Sequence, residues 1–269
     1  MATYIRSVQN DRIKKAIRLR DRRGRRRQGR IIVDGCREVY RALHCGVRPL
    51  EVFVSDGHVH DAGIQTIKSM LAAHRIEAAV VTDSVFRKIA FGDRAEGIVL
   101  VAAEPCLNLE DLQLPHNALI CVLEGVEKPG NVGAILRTAD AAAVDAVIIA
   151  DGGTDVYNPN AIRASLGAIF HLPVRAARSS VVVQWLRQGN FAIFASRVEG
   201  ATHYARADYR GKSALVVGSE ADGLSSIWMG EEITDVMLPM LGIVDSLNVS
   251  ATAAVLCYEA LRQRRSERH

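Results

Sequence analysis

The chain has 269 residues, 49% hydrophobic and 24% charged, with 21 Gly and 7 Pro, a globular composition that excludes collagen-like and broadly disordered classes. No run approaches the roughly 18 apolar residues of a membrane-spanning helix, and the N-terminal MATYIRSVQNDRIKK lacks the apolar core of a secretory signal. Cys36, Cys45, Cys106, Cys121 and Cys257 are scattered and odd in number, so a reduced, cytoplasmic protein with no membrane partner is expected.

The net charge of +4 hides an asymmetry: residues 1–30 hold twelve Lys and Arg against Asp11 and Asp21, and the remainder is net negative. A run that includes Arg25, Arg26 and Arg27 repels itself unless an anionic partner lies against it, which points to a basic N-terminal arm (1–30) and to nucleic acid. A solvated, partly helical arm that only aids solubility is the alternative. A membrane-surface role is disfavoured because the run lacks interleaved Trp, Phe and Leu.

After the arm, IIVDG (31–35) reads as a strand, REVYRALHCG (37–46) as a helix ended by Gly46, and LEVFVS (50–55) as a strand, the beginning of a βαβ pattern. A helix near 60–73, a strand at IEAAVV (76–81), a short helix after Asp83 and the strand GIVLVAA (97–103) complete a first domain over 31–103. EPCLNLEDLQLPHN breaks the pattern, so 104–116 is read as a linker. The second domain, 117–269, restarts with NALICVLEGV (117–126), an apolar run of the kind found in parallel strands buried on both faces. Strands at 146–150, 171–177, 191–196, 213–218 and 235–239 alternate with helices at 131–143, 159–168 and 180–188, and a helix from about Leu247 to Arg265 closes the chain. This alternation predicts a doubly wound α/β domain whose ligands sit at the carboxyl ends of the strands.

No dinucleotide-type glycine fingerprint follows the first strand of this domain. In its place stands EGVEKPGNVGAILRTAD (124–140), with Asn131 at the start of a helix and Arg137 six residues on, both candidates to face one cleft. An N-cap role for Asn131 and a surface role for Arg137 are the bland alternatives. GSEADGLS (218–225) places Gly218 and Gly223 around Glu220, where small residues let backbone approach a ligand and the carboxylate can hold a polar group; an ordinary acidic turn is the alternative. In LPMLGIVDSLNVSATAA (238–254), Ser246 stands where a cap would, while Leu247 and Asn248 add an apolar contact and an amide at a helix start. His58 and His60 lack the partners of a zinc site, and no metal is expected.

NVGAILRTA (131–139), LVVGSEADGLS (215–225) and LPM…SLNVS (238–250) together resemble the three signature motifs of the SpoU/TrmH branch of the SPOUT methyltransferases. More loosely, GRIIVDGCREVYRALHCGVRPLEVFV (29–54) and AEGIVLVAAEP (95–105) resemble the L30e-like RNA-binding module, with Asp34 where Glu is usual.

The resemblance implies a fold class of α/β type, in which a smaller L30e-like α/β domain precedes a trefoil-knotted, mainly parallel sheet threaded from Leu238 onward. It implies a homodimer that uses S-adenosyl-L-methionine to methylate a ribose 2′-oxygen in RNA, with ribosomal RNA ahead of transfer RNA. A silent RNA-binding or ribosome-assembly protein and a base methyltransferase are the competing classes. By the same resemblance Gly218, Leu238, Leu247 and Ser196 contact the cofactor. Asn131, Arg137, Glu220, Ser246 and Asn248 arrange the reaction, and Arg163 lies on the RNA side. Because free arginine stays protonated, a phosphate grip and alkoxide stabilisation suit Arg137 better than the role of base.

Overall fold

The computed structural model describes residues 3–91, 96–200 and 202–266. Met1 and Ala2 of the expected arm, and Ala95 at the head of AEGIVLVAAEP, lie outside the described residues. The chain divides into two compact units, Met1–Pro105 with Tyr157–His171, and Cys106–Val156 with Leu172–His269.

In the first unit, strands β1 (Tyr4–Ile5), β2 (Arg30–Asp34), β3 (Pro49–Ser55), β4 (Ala79–Val81) and β5 (Ile98–Ala103) pair in the order β1-β4-β3-β5-β2. β1, β4 and β3 run parallel, and β5 runs antiparallel to both β3 and β2. The sequence pattern suggested that 31–35 and 50–55 open a βαβ unit; instead they flank β5, whose IVLVAA run suits a strand buried between two neighbours. Helices α1 (Asp11–Arg18), α2 (Arg22–Gln28), α3 (Cys36–His44), α4 (Ala62–Ala73) and α5 (Asp83–Ile89) complete this part of the unit.

Residues 3–30 are built into this unit and are no free arm. Ile13, Ala16 and Leu19 recur every three residues on one side of α1 and join Ile5, Phe53, Phe86 and Val99 in the core, a short apolar stripe that the surrounding charge conceals. The turn into α2 is tight. Asp21 Oδ1 accepts from the Gly24 N–H at 2.7 Å, and a Cβ on Gly24 would stand 1.7 Å from the Arg18 carbonyl oxygen, so only glycine fits.

Arg25 corrects the sequence reading most sharply. It is 2% exposed, and its guanidinium donates to the Leu19 carbonyl at 2.7 Å, which clasps α2 onto the end of α1. Buried there, it cannot meet RNA. Arg18, Arg22, Arg23, Arg26 and Arg27 remain exposed around it.

In the second unit, strands β6 (Leu119–Glu124), β7 (Ala146–Ala150), β8 (Val174–Ala177), β9 (Ala192–Ser196), β10 (Thr202–His203), β11 (Ser213–Val217) and β12 (Ile233–Met237) form one sheet in the order β10-β12-β9-β11-β6-β7-β8. Every pair in it is parallel. Helices α6 (Pro129–Ala141), α8 (Ser179–Gln188) and α9 (Val249–Ser266) cover it. Ile120 and Val122 of β6 pack with Val182, Val183 and Leu186 of α8 and with Trp228. Cys121, between them in sequence, meets Cys257 of α9, and the hydrogen bond between the two thiols, reinforced by burial, raises the Cys121 pKa. Helices therefore lie on both faces, as a strand buried on both sides requires.

Two boundaries move. Residues 104–116, read as a linker, largely belong to the second unit: Leu109 joins its core, and the Leu107 carbonyl accepts from the Ala176 N–H at 2.9 Å. Residues 157–171, read as part of the second domain, belong to the first unit. Helix α7 (Pro159–Ala164) buries Ala161 and Ile162 there, because strand–helix alternation does not say on which core a helix packs.

Asp34 ends β2 in a constrained position. One carboxylate oxygen accepts from the Phe91 N–H at 2.7 Å, while the other is buried with no partner among the described residues. Burial pushes its pKa up to about 6, against the pull of the Phe91 N–H and the nearby Arg163 guanidinium. A pKa raised in the fold gives stability that is present below the unfolded value near 4 and lost as pH rises through about 6. Urea unfolding at pH 4 and pH 7 should therefore show Asp34→Asn gaining on the wild type by on the order of 2 kcal/mol at the higher pH. Parallel curves would refute the assignment.

Candidate active site

The parallel register decides where the loops converge. Val217 of β11 lies beside Leu123 of β6, and Val236 of β12 lies beside Ser196 of β9, so these strands end along one edge. From β6 the chain runs outward through β7 and β8, then returns to the other side through β9. The order reverses between β6 and β11, the position at which open parallel sheets form a crevice at their carboxyl ends.

A cavity of about 370 Å³ opens at this edge, and Ser196, Gly218, Glu220, Leu238, Ser246 and Leu247 all line it. Three loops meet at its rim. Asn131 Nδ2, in the first turn of α6, donates to Glu220 Oε1, and Asn248 Nδ2 reaches Asn131 Oδ1 at 3.5 Å. Lys128 Nζ stands 3.8 Å from the same Glu220 oxygen. Asn248 also caps α9: its Oδ1 accepts from the Ser250 N–H at 2.9 Å and from the Ser250 hydroxyl at 2.6 Å. That corrects the reading of Ser246 as cap, since α9 begins at Val249 and Ser246 is exposed two residues before the capping Asn248.

Not every expected residue joins them. Arg137 is exposed on α6 and is absent from the cavity lining. Six residues along a helix turn the side chain by about 600°, which leaves it roughly 120° from Asn131, so Arg137 stands on a different stripe of α6 and meets solvent outside the wall of this cavity. Arg163 lies on α7 in the first unit, half-buried, where its guanidinium donates to the Phe91 carbonyl.

Glu124 was missed in the sequence. It ends β6 at 6% exposure, and its carboxylate accepts from the Ser179 hydroxyl at 2.8 Å, from the Ser225 hydroxyl at 2.7 Å and from the Ser225 N–H at 2.8 Å. A carboxylate closing an otherwise apolar strand was the available signal. Arg197 was also missed; it lines the cavity while pairing with Asp235 at 2.9 Å and donating to the Trp228 carbonyl at 2.9 Å.

Residues 118–258 match the SpoU rRNA Methylase family. The chain belongs to this family. Residues 10–100 match the MRM3-like substrate binding domain, which includes both helices of the basic segment. Among similar proteins, the 23S rRNA (guanosine(2553)-2'-O)-methyltransferase RlmP of Bacillus subtilis is 25% identical over 94% of this chain and 97% of its own. The 23S rRNA (uridine(2479)-2'-O)-methyltransferase of Streptomyces viridochromogenes is 29% identical over 93% of this chain and 88% of its own. A crystal structure of an RNA 2'-O ribose methyltransferase superposes with a TM-score of 0.83 at 39% identity, covering 98% of this chain and all of that one. The SpoU methyltransferase AviRb from Streptomyces viridochromogenes, solved with AdoMet, gives a TM-score of 0.87 at 26% identity over 96% of this chain and 99% of its own.

Within this SpoU domain, Gly218 is the more tightly enclosed of the two glycines in the cavity wall. An added Cβ would stand 2.2 Å from the Gly223 carbonyl carbon and 2.3 Å from its oxygen, so the loop must open to admit it. Gly218→Ala should weaken binding of radiolabelled S-adenosylmethionine at least about tenfold, equivalent to about 1.4 kcal/mol, with the far-ultraviolet circular dichroism unchanged. Wild-type affinity in this variant would show that the loop conformation is immaterial.

Proposed function

We propose that the protein transfers the methyl group of S-adenosyl-L-methionine to a ribose 2′-hydroxyl of structured RNA, with 23S ribosomal RNA as its substrate. The observation that carries this reading is the meeting of Asn131, Glu220 and Asn248 from three separate loops at the mouth of one cavity. The lining fits such a cofactor: Leu238, Leu247 and Val249 offer apolar surface, and Ser196, Glu220 and Asp245 offer polar groups that can hold hydroxyl and amino functions.

When bound, the cofactor supplies a methyl group that its sulfonium charge already makes electrophilic. The protein then has to align the ribose oxygen and assist loss of its proton. Glu220 holds Asn131, Asn131 is in reach of Asn248, and the three amide and carboxylate groups form a polar rim against which a ribose can be oriented. Ser246 adds a hydroxyl at the same mouth. Arg137, permanently charged, grips the adjacent phosphate and stabilises the developing alkoxide, and that phosphate aids removal of the proton. No step calls for a metal, and the described residues hold no group of three or more His, Cys, Asp or Glu able to bind one.

The remaining parts of the reading concern assembly and location. The chain from Leu238 onward threads the preceding loop as a trefoil knot, a reading supported by α9 returning from the β12 side to pack on α6 and β11. The protein is a homodimer: Leu241, Ile243 and Val244 are exposed beside the cavity loop, and Tyr258 is exposed on α9, apolar surface that a second copy would cover. The exposed face of α1 and α2, with Arg26 and Arg27, holds RNA phosphates. The site of action is the cytoplasm, in keeping with unpaired thiols at Cys121 and Cys257.

Mapping alkali-resistant ribose positions in total RNA with and without the protein tests the reaction; a new site in 23S ribosomal RNA is expected, and one confined to transfer RNA would move the substrate. Arg137→Ala should abolish methyl transfer while leaving cofactor binding intact, and retained turnover would remove Arg137 from the mechanism. Replacing Arg26 and Arg27 with Ala should lower the slope of log affinity against log salt by about 0.7 per lost phosphate contact. Arg25→Ala should leave that slope unchanged and lower the melting temperature instead, as expected for loss of a buried hydrogen-bonded charge.

A further inference from the structure

The cavity wall formed by residues 218–224 is anchored at both ends. Its first end continues from β11 in the sheet. Reciprocal hydrogen bonds of 3.1 Å between Ser219 and Gly223 close the loop on itself. Its second end, at Ser225, has no strand to hold it, and there Glu124 of β6 takes both the Ser225 N–H at 2.8 Å and the Ser225 hydroxyl at 2.7 Å. The same Glu124 oxygen that binds the Ser225 hydroxyl accepts from Ser179 at 2.8 Å, at the first turn of α8. Ser179 is itself buried, and its N–H donates to Asp151 at 3.0 Å. A carboxylate that is removed from water and met only by neutral donors is retained at a desolvation cost unless those donors are fixed in place; here they come from two elements that the sheet alone does not join.

We propose that Glu124 is a positioning residue for the cofactor: from the end of β6 its buried carboxylate clasps Ser225 and Ser179, and so holds the 218–225 wall at the width that S-adenosylmethionine requires. The inference rests on the reading of this cavity as the cofactor site. Glu124 itself is not among the residues lining the cavity, so it acts through Ser225 and touches no reacting atom.

The test compares variants of the full-length protein by methyl-transfer kinetics. Glu124→Leu keeps bulk but removes every acceptor, and should raise the KM for S-adenosylmethionine about tenfold or more, the loss expected when hydrogen bonds to a charged group go, with kcat and the KM for RNA little changed. Glu124→Gln keeps the bonds, because its amide can donate to the two hydroxyls, which rotate to accept, while its carbonyl accepts from the Ser225 N–H; it should stay within about threefold of wild type. An unchanged cofactor KM in folded Glu124→Leu overturns the proposal, as does equal damage in Glu124→Gln. If Glu124→Leu does not fold, Ser225→Ala should raise the cofactor KM several-fold and Ser225→Thr should restore it; failure of that pair also overturns the clasp. Amide hydrogen exchange separates the two readings. If S-adenosylmethionine does not slow exchange across 218–225 in the wild type, the cavity reading itself fails; protection there with an unaltered KM in Glu124→Leu removes the clasp alone.

Discussion

The parallel pairing of β6 with β11 is the constraint on which the site depends. These strands are joined through five consecutive residue partners, from Ser213 beside Leu119 to Val217 beside Leu123, although most of the domain lies between them in sequence. Backbone hydrogen bonds in such a ladder leave no freedom to slide, since a shift by one residue would turn every buried side chain to the opposite face. The ends of both strands are thereby fixed at one level. The turn carrying Asn131 and the turn carrying Glu220 then come together without help from either side chain.

The two units carry different kinds of chemistry. The second holds a cavity with a polar rim, where precise placement of a few groups matters most. The first displays cations over a core that reaches into the basic segment itself, and charge rather than geometry dominates its solvent face. The exposed arginines of α1 and α2 face solvent because burial of Ile13, Ala16 and Leu19 on the opposite side holds the helices in place.

Much of this was legible in the residues. The second-domain strands announce themselves as continuous apolar runs because both faces are covered, and the three loop motifs stand where strands end. Other features depend on partners that local pattern cannot reveal. The donors to Glu124 lie 55 and 101 residues further along, so LICVLE shows a carboxylate but not what satisfies it. Arg25 is surrounded by cations of similar appearance, and what sets it apart is its burial against the Leu19 carbonyl, which the local pattern does not show. Arg163 sits in a helix that reads as part of the alternation, yet its packing belongs to the first unit. The antiparallel insertion of β5 between β2 and β3 is likewise a matter of long-range pairing, which alternation of strands and helices leaves undetermined.

The inward turn of Arg25 has a thermodynamic consequence for the segment that contains it. A polybasic stretch without such an anchor is a fluctuating coil, and it surrenders its freedom only when it meets its target. Here that entropy is lost when the domain folds, so the cations form a preorganised plate whose spacing is set in advance. On the proposed reading of this face, such a plate favours polyanions whose phosphate pitch matches the spacing of its helices, a selection that a pliant tail could not make.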